Sequence, residues 1–147
     1  MARVNFYVLE EVSADARLRL ACRLVEKAFA ESQPVFVLAS AAEEARLMDE
    51  LLWTFRDRSF IPHDLVENAG PNPPPVLIGT SPEHAPGASV LINLTPLVPE
   101  GCERFARILE PLDADSERRQ RGRERFRAYR ERGMAPESHT LGPQAEP

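Results

Sequence analysis

Three observations predict an α/β fold. Short runs rich in β-branched and aromatic residues alternate with longer stretches of helical period through the first half of the chain. Further apolar runs of strand length, VLIG and SVLINL, follow in the second half. The length of 147 residues, 43% of them hydrophobic, suits one domain with a sizeable core. The expected architecture is a single three-layer α/β/α domain with a central, mostly parallel but mixed sheet of about five strands. Helices cover both faces, and an arginine-rich helix lies at the C-terminal end. Residues 1–133 form that domain and residues 134–147 a flexible tail.

Arg3 to Leu9 (RVNFYVL) gives the first strand. Ser13 caps the next helix, Asp15 favours its first turn, and Ala16, Leu20, Leu24, Val25 and Ala28 form its apolar face. Val35 to Ala39 (VFVLA) is the second strand, so strand, helix and strand make a βαβ unit with a parallel pair and a right-handed crossover. Ser40 caps a second helix that places Ala45, Leu47, Met48, Leu51 and Leu52 toward the sheet. RDRSFIPHDL has no clean period, and the connection NAGPNPPP is an extended surface loop. Val76 to Gly79 and Ser89 to Leu94 are strands joined by a nine-residue loop, too short for a crossover helix, which suggests an antiparallel pair. A helical turn near Glu103 and a last strand at Arg107 to Glu110 lead to the arginine-rich helix, and the segment after Met134 has little to bury.

Much familiar chemistry is missing. There is no GxxxxGK[ST] or GxGxxG, and the turn after Leu9 is EEVSAD, which repels phosphate. His63, His84 and His139 have no ligand-like spacing with one another or with Cys22 and Cys102, so no metal and no cofactor is expected. Ser59 and His63 lie outside any GxSxG elbow, and no catalytic constellation emerges. Two distant cysteines, no signal-like N-terminus and no run of 18 apolar residues point to a cytoplasmic protein without a membrane partner.

The segment Ser116 to Gly133 demands a functional account. Between Arg118 and Arg132 it carries eight arginines and two glutamates, in a chain whose net charge is −5. At helical period Arg119, Arg123, Phe126, Arg127 and Arg130 share one stripe, a row of guanidinium groups around an aromatic. Like charges at these spacings repel, so the stripe suits an anionic partner. A solvated terminal helix is the alternative. Direct nucleic-acid binding through phosphate contacts is another, although the acidic balance of the whole chain disfavours general coating. A small nucleotide-handling enzyme lacks its phosphate loop.

Taken together, FYVL, ACRLVEKA, MDELLWTF, SFIPH, PVLIG, VLINL and RERFRAYRERG resemble, in that order, the chi subunit family of bacterial DNA polymerase III holoenzyme. The resemblance runs from Val4 to Gly133; the proline-rich loop from Pro71 to Pro75 and the residues after Met134 depart from it. It implies a non-catalytic replisome adaptor of α/β fold. Chi-like proteins bind the acidic C-terminal tail of single-stranded DNA-binding protein, and through psi they join the clamp loader. That tail ends in aspartates, a proline and a terminal phenylalanine. A free carboxylate of this kind calls for a guanidinium fork, further positive charge and an apolar notch. The family motif maps tail binding onto Arg119, Arg123, Phe126, Arg127, Arg130 and Gly133, with Arg123 on the terminal carboxylate. It maps psi, or a helicase that competes for the same place, onto Trp53 and Phe60, whose alternative role is that of core aromatics.

Overall fold

The computed structural model describes residues 2–56, 60–84 and 87–142. The chain passes through β1 (Arg3–Leu9), α1 (Ala14–Ala30), β2 (Val35–Leu38), α2 (Ala42–Thr54), β3 (His63–Leu65), β4 (Val76–Gly79), β5 (Val90–Asn93), β6 (Arg107–Leu112), α3 (Ser116–Glu131) and β7 (Glu137–Leu141). These seven strands form one sheet in the order β3-β4-β2-β5-β6-β1-β7, and each pair in it is parallel. The α/β class and the helices on both faces match expectation. The strand count and the mixed character do not.

The expected antiparallel pair of β4 and β5 is absent, because β2 lies between them and pairs with both, Val35 against Val76 on one side and Val90 on the other. A connection of ten residues separates the two strands. Fully extended it reaches roughly 33 Å, ample to step over one strand, about 10 Å across, and return along four residues. A signal for this was present: all residues of β2 and of β5 are buried, the continuous apolar pattern of strands covered on both faces. Likewise β1 and β2 are parallel but not paired, since β5 and β6 lie between them.

Two cores lie on the two faces. On the first, Leu20, Leu24 and Val25 of α1 and Met48 and Leu52 of α2 pack on Val35, Val37, Ile78, Val90 and Ile92. On the second, Tyr129 and the half-buried Phe126 of α3 pack with Phe6, Phe36, Leu91 and Ile108. Each such large side chain contributes roughly 1.5–3 kcal/mol relative to exposure. Leu47 was expected toward the sheet but is 45% exposed, and Leu51 is only partly buried. Ser13 caps α1 as expected, accepting from Ala16 N–H at 3.0 Å. Ser40 does not cap α2: Ala41 holds the cap position, and the Glu44 carboxylate accepts from the Ser40 N–H and hydroxyl at 2.8 and 2.9 Å.

The segment after Met134, expected to be a flexible tail, contains β7, which pairs with β1 from Asn5↔Glu137 to Leu9↔Leu141. Main-chain hydrogen bonds and the burial of Leu141 hold it, while four of its five residues are exposed. Such a composition carries no period. Residues 143–147 of that tail lie outside the described residues, as does Ser59.

Candidate functional site

The arginine-rich helix begins and ends on local signals. Asp115 caps α3, accepting from Arg118 N–H at 2.9 Å, and Glu117 complements the positive end of the helix dipole. At the other end Gly133 takes φ +84°, with Gly133 N–H donating to Arg130 and Met134 N–H to Tyr129. This pair of bonds is the Schellman stop, which favours glycine because a Cβ is strained at positive φ. Gly133 therefore ends the helix; it does not line the candidate site.

The inner face of α3 is anchored by a buried charge. Glu110 on β6 is fully buried and receives Arg125 Nε at 3.1 Å, Arg125 Nη2 at 3.0 Å, Tyr129 Oη at 2.7 Å and Asn93 Nδ2 at 2.9 Å. Arg125, which lies off the arginine stripe, is 3% exposed. Burial, followed by the adjacent Glu110 carboxylate, holds the Tyr129 phenol well above its usual range. The helix is also tied at its start. Arg118 forms two hydrogen bonds with Asp113, whose carboxyl stays below the usual range because these bonds and the Ser13 N–H outweigh the effect of burial.

With that face fixed, Arg119, Arg123 and Phe126 turn toward the groove between α3 and β7. They line one cavity of about 290 Å³, together with Phe6, Val8, Leu112, Gly122, Ser138 and Thr140. The floor is apolar and two guanidinium groups stand on the wall. Arg119 Nη2 donates to the Leu9 carbonyl at 3.2 Å, while its buried Nε has no acceptor among the described residues. Arg123 is exposed and, among the described residues, donates only to the neutral Gln120 side chain, at 3.2 Å. Phe126 is half-buried, its ring centroid 5.4 Å from that of Phe6, and the Arg130 guanidinium lies 5.4 Å from the Phe126 centroid. Arg127 is exposed on the same helix but does not line the cavity.

A larger cavity, about 470 Å³, opens at the carboxyl ends of β2, β5 and β6, where ligands of parallel sheets commonly collect. Three of its four guanidinium groups are already engaged, Arg17 with the carbonyls of Pro111 and Leu94, Arg118 with Asp113 and Arg125 with Glu110, while the fourth, Arg121, is half-exposed and 4.0 Å from Glu124. The smaller cavity sets Arg123 and the buried Arg119 Nε, unpaired among the described residues, beside an apolar floor and is the better anion site.

Sequence reading missed Phe6, Val8, Leu112, Ser138, Thr140 and Gly122. Gly122 alone gave a signal, as a glycine inside a helix. A Cβ there would stand 2.6 Å from Leu112 Cδ1, so the glycine lets α3 approach β6 and shapes the cavity floor. In Gly122→Ala, a helix-propensity gain of about 1 kcal/mol opposes the displacement of Leu112. We expect a melting temperature within a few degrees of wild type and a several-fold loss of ligand affinity at the cavity, measured by thermal melt and titration. Unchanged affinity would show that Leu112 relaxes away from the cavity.

The second pair of sequence candidates lies elsewhere. Trp53, near the end of α2, is 60% exposed and Phe60 is 81% exposed, so neither is a core aromatic. Among the described residues no group of three His, Cys, Asp or Glu is placed to hold a metal ion, and no helix is long and apolar enough to cross a membrane.

Comparison with known proteins matches residues 1–137 to the family described as DNA polymerase III chi subunit, HolC. DNA polymerase III subunit chi of Pseudomonas aeruginosa is 36% identical over 141 residues, covering 96% of this chain and 98% of its own. The proteins of that name from Haemophilus influenzae and Escherichia coli are each 25% identical over 139 residues, covering 94% and 91% of this chain and 96% and 95% of their own.

Proposed function

Because the chain belongs to the DNA polymerase III chi subunit family, we propose that this replication accessory protein is a non-catalytic cytoplasmic adaptor with two partner surfaces. The cavity beside α3 takes the acidic, phenylalanine-terminated tail of single-stranded DNA-binding protein. The Trp53 and Phe60 surface takes psi, which leads to the clamp loader, or a helicase that competes with psi.

One observation carries the first assignment: the buried Arg119 Nε without an acceptor, on the wall of an apolar-floored cavity that Arg123 also lines. A buried donor left unpaired costs about 1–3 kcal/mol, and an arriving carboxylate removes that cost. The 290 Å³ space suits a single aromatic side chain, and Arg127 and Arg130 lie further along the helix to meet preceding aspartates. The same groups explain selectivity for a chain end, since only a terminal residue presents its carboxylate beside its own ring. The second assignment gains support from the position of α2, on the sheet face opposite α3, which leaves both partners room to bind together.

The test is a titration with two fluorescent ligands, the acidic tail peptide and a single-stranded oligonucleotide of equal length. Peptide binding well above oligonucleotide binding is the expected result. Tight oligonucleotide binding with none to the peptide would instead make α3 a phosphate-contacting helix, with the steep salt dependence of counterion release.

A further inference from the structure

His63 is a buried polar residue that the partner surfaces have not absorbed. Its side chain is fully buried at the edge strand β3. Two main-chain carbonyls face its ring nitrogens: Ile61 at 2.7 Å from Nδ1, and Asp49 at 3.1 Å from Nε2, with the Asp49 carboxylate 3.4 Å from that same nitrogen. The imidazole is thus fixed to the edge of the sheet and to the middle of α2 at once. Its ring centroid lies 4.5 Å from that of Trp53, at an interplanar angle of 50°.

Trp53 needs such a support. Trp53 is 60% exposed near a helix end, and an anchor that must be ordered on binding forfeits part of its contact energy to lost side-chain freedom. Resting on the psi surface proposed above, we infer that His63 is the positioning residue of that surface: a fixed ring that holds the Trp53 indole edge outward, pre-formed for an apolar segment of the partner protein. The same short segment serves both anchors. Phe60 stands exposed immediately before Ile61, which is buried in the first core, so the Ile61 carbonyl that faces His63 lies one residue from the second anchor. The exposed face then carries two aromatics, Trp53 near the end of α2 and Phe60 shortly before β3.

Trp53 is the only tryptophan in the chain, so its emission reports the indole directly. The experiment compares wild type with His63→Ala, His63→Gln and His63→Phe in the full chain, reading Trp53 anisotropy, acrylamide quenching and capture of purified psi. Loss of the ring in His63→Ala and His63→Gln should lower anisotropy and weaken psi binding by roughly three- to tenfold, the size of one aromatic pair. His63→Phe restores a ring and should recover both readouts. Binding of the tail peptide should stay at the wild-type level in all three. If His63→Ala fails to fold, His63→Gln carries the comparison. Wild-type anisotropy and psi affinity in a folded His63→Gln protein would overturn the inference. Failure of the surface itself has a different signature: Trp53→Ala would then leave psi capture intact, whatever the anisotropy of the His63 variants.

Discussion

Arg125→Ala should lower folding stability by about 3–5 kcal/mol, the loss typical of removing one partner from a buried ion pair. The mechanism is the charge left behind. Glu110 is fully buried, and in the variant it would keep only Tyr129 and Asn93 as side-chain donors. Arg125 also donates to the Pro96 carbonyl at 3.2 Å, so the loop after β5 loses a tie in the same step. Tyr129→Phe should cost less, about 1 kcal/mol, since it deletes one hydrogen bond and keeps the packing of the ring. Urea denaturation of the variants at neutral pH measures both. A loss below about 1 kcal/mol for Arg125→Ala would mean that the pair is solvated and that α3 is held by its apolar contacts alone.

The second large effect is on binding. Arg123→Ala should weaken the acidic tail peptide by roughly 2–5 kcal/mol if its guanidinium becomes the desolvated partner of the terminal carboxylate. Amidating the peptide's C-terminus should reproduce most of that loss. Combining the two changes should be far from additive, because they delete one interaction. Arg121 is the proper control. Its side chain is 52% exposed and only 4.0 Å from Glu124, outside the tail cavity, so its removal should cost well under about 1 kcal/mol. Equal losses at Arg121 and Arg123, with no response to amidation, would leave a diffuse basic patch in place of a site.

Arg121 and Arg125 show how far the sequence reaches. Both are off the stripe on a helical wheel, yet one is solvated and the other buried. The wheel gives relative angles around α3 but not the direction of the sheet. That direction is set by Glu110, fifteen residues earlier, whose buried carboxylate needs a cation opposite it. Glu110 itself sits in an apolar strand, RILEPL, where local sequence marks it only as an anomaly.

By itself the sequence determined what depends on neighbours along the chain. The periods of α1, α2 and α3, the Ser13 cap and the apolar runs of β1, β2, β4 and β5 were all legible, because each arises within one or two turns or a few residues. The stripe that gathers Arg119, Arg123 and Phe126 was legible for the same reason. Only the tertiary structure decided that β2 separates β4 from β5, that Glu137–Leu141 adds a seventh strand, and that Phe6, Val8, Leu112, Ser138 and Thr140 complete the cavity. Strand pairing is chosen by burial and hydrogen bonding between segments far apart in the chain. An exposed edge strand such as β7, held by main-chain bonds to β1, leaves almost no trace in its own residues.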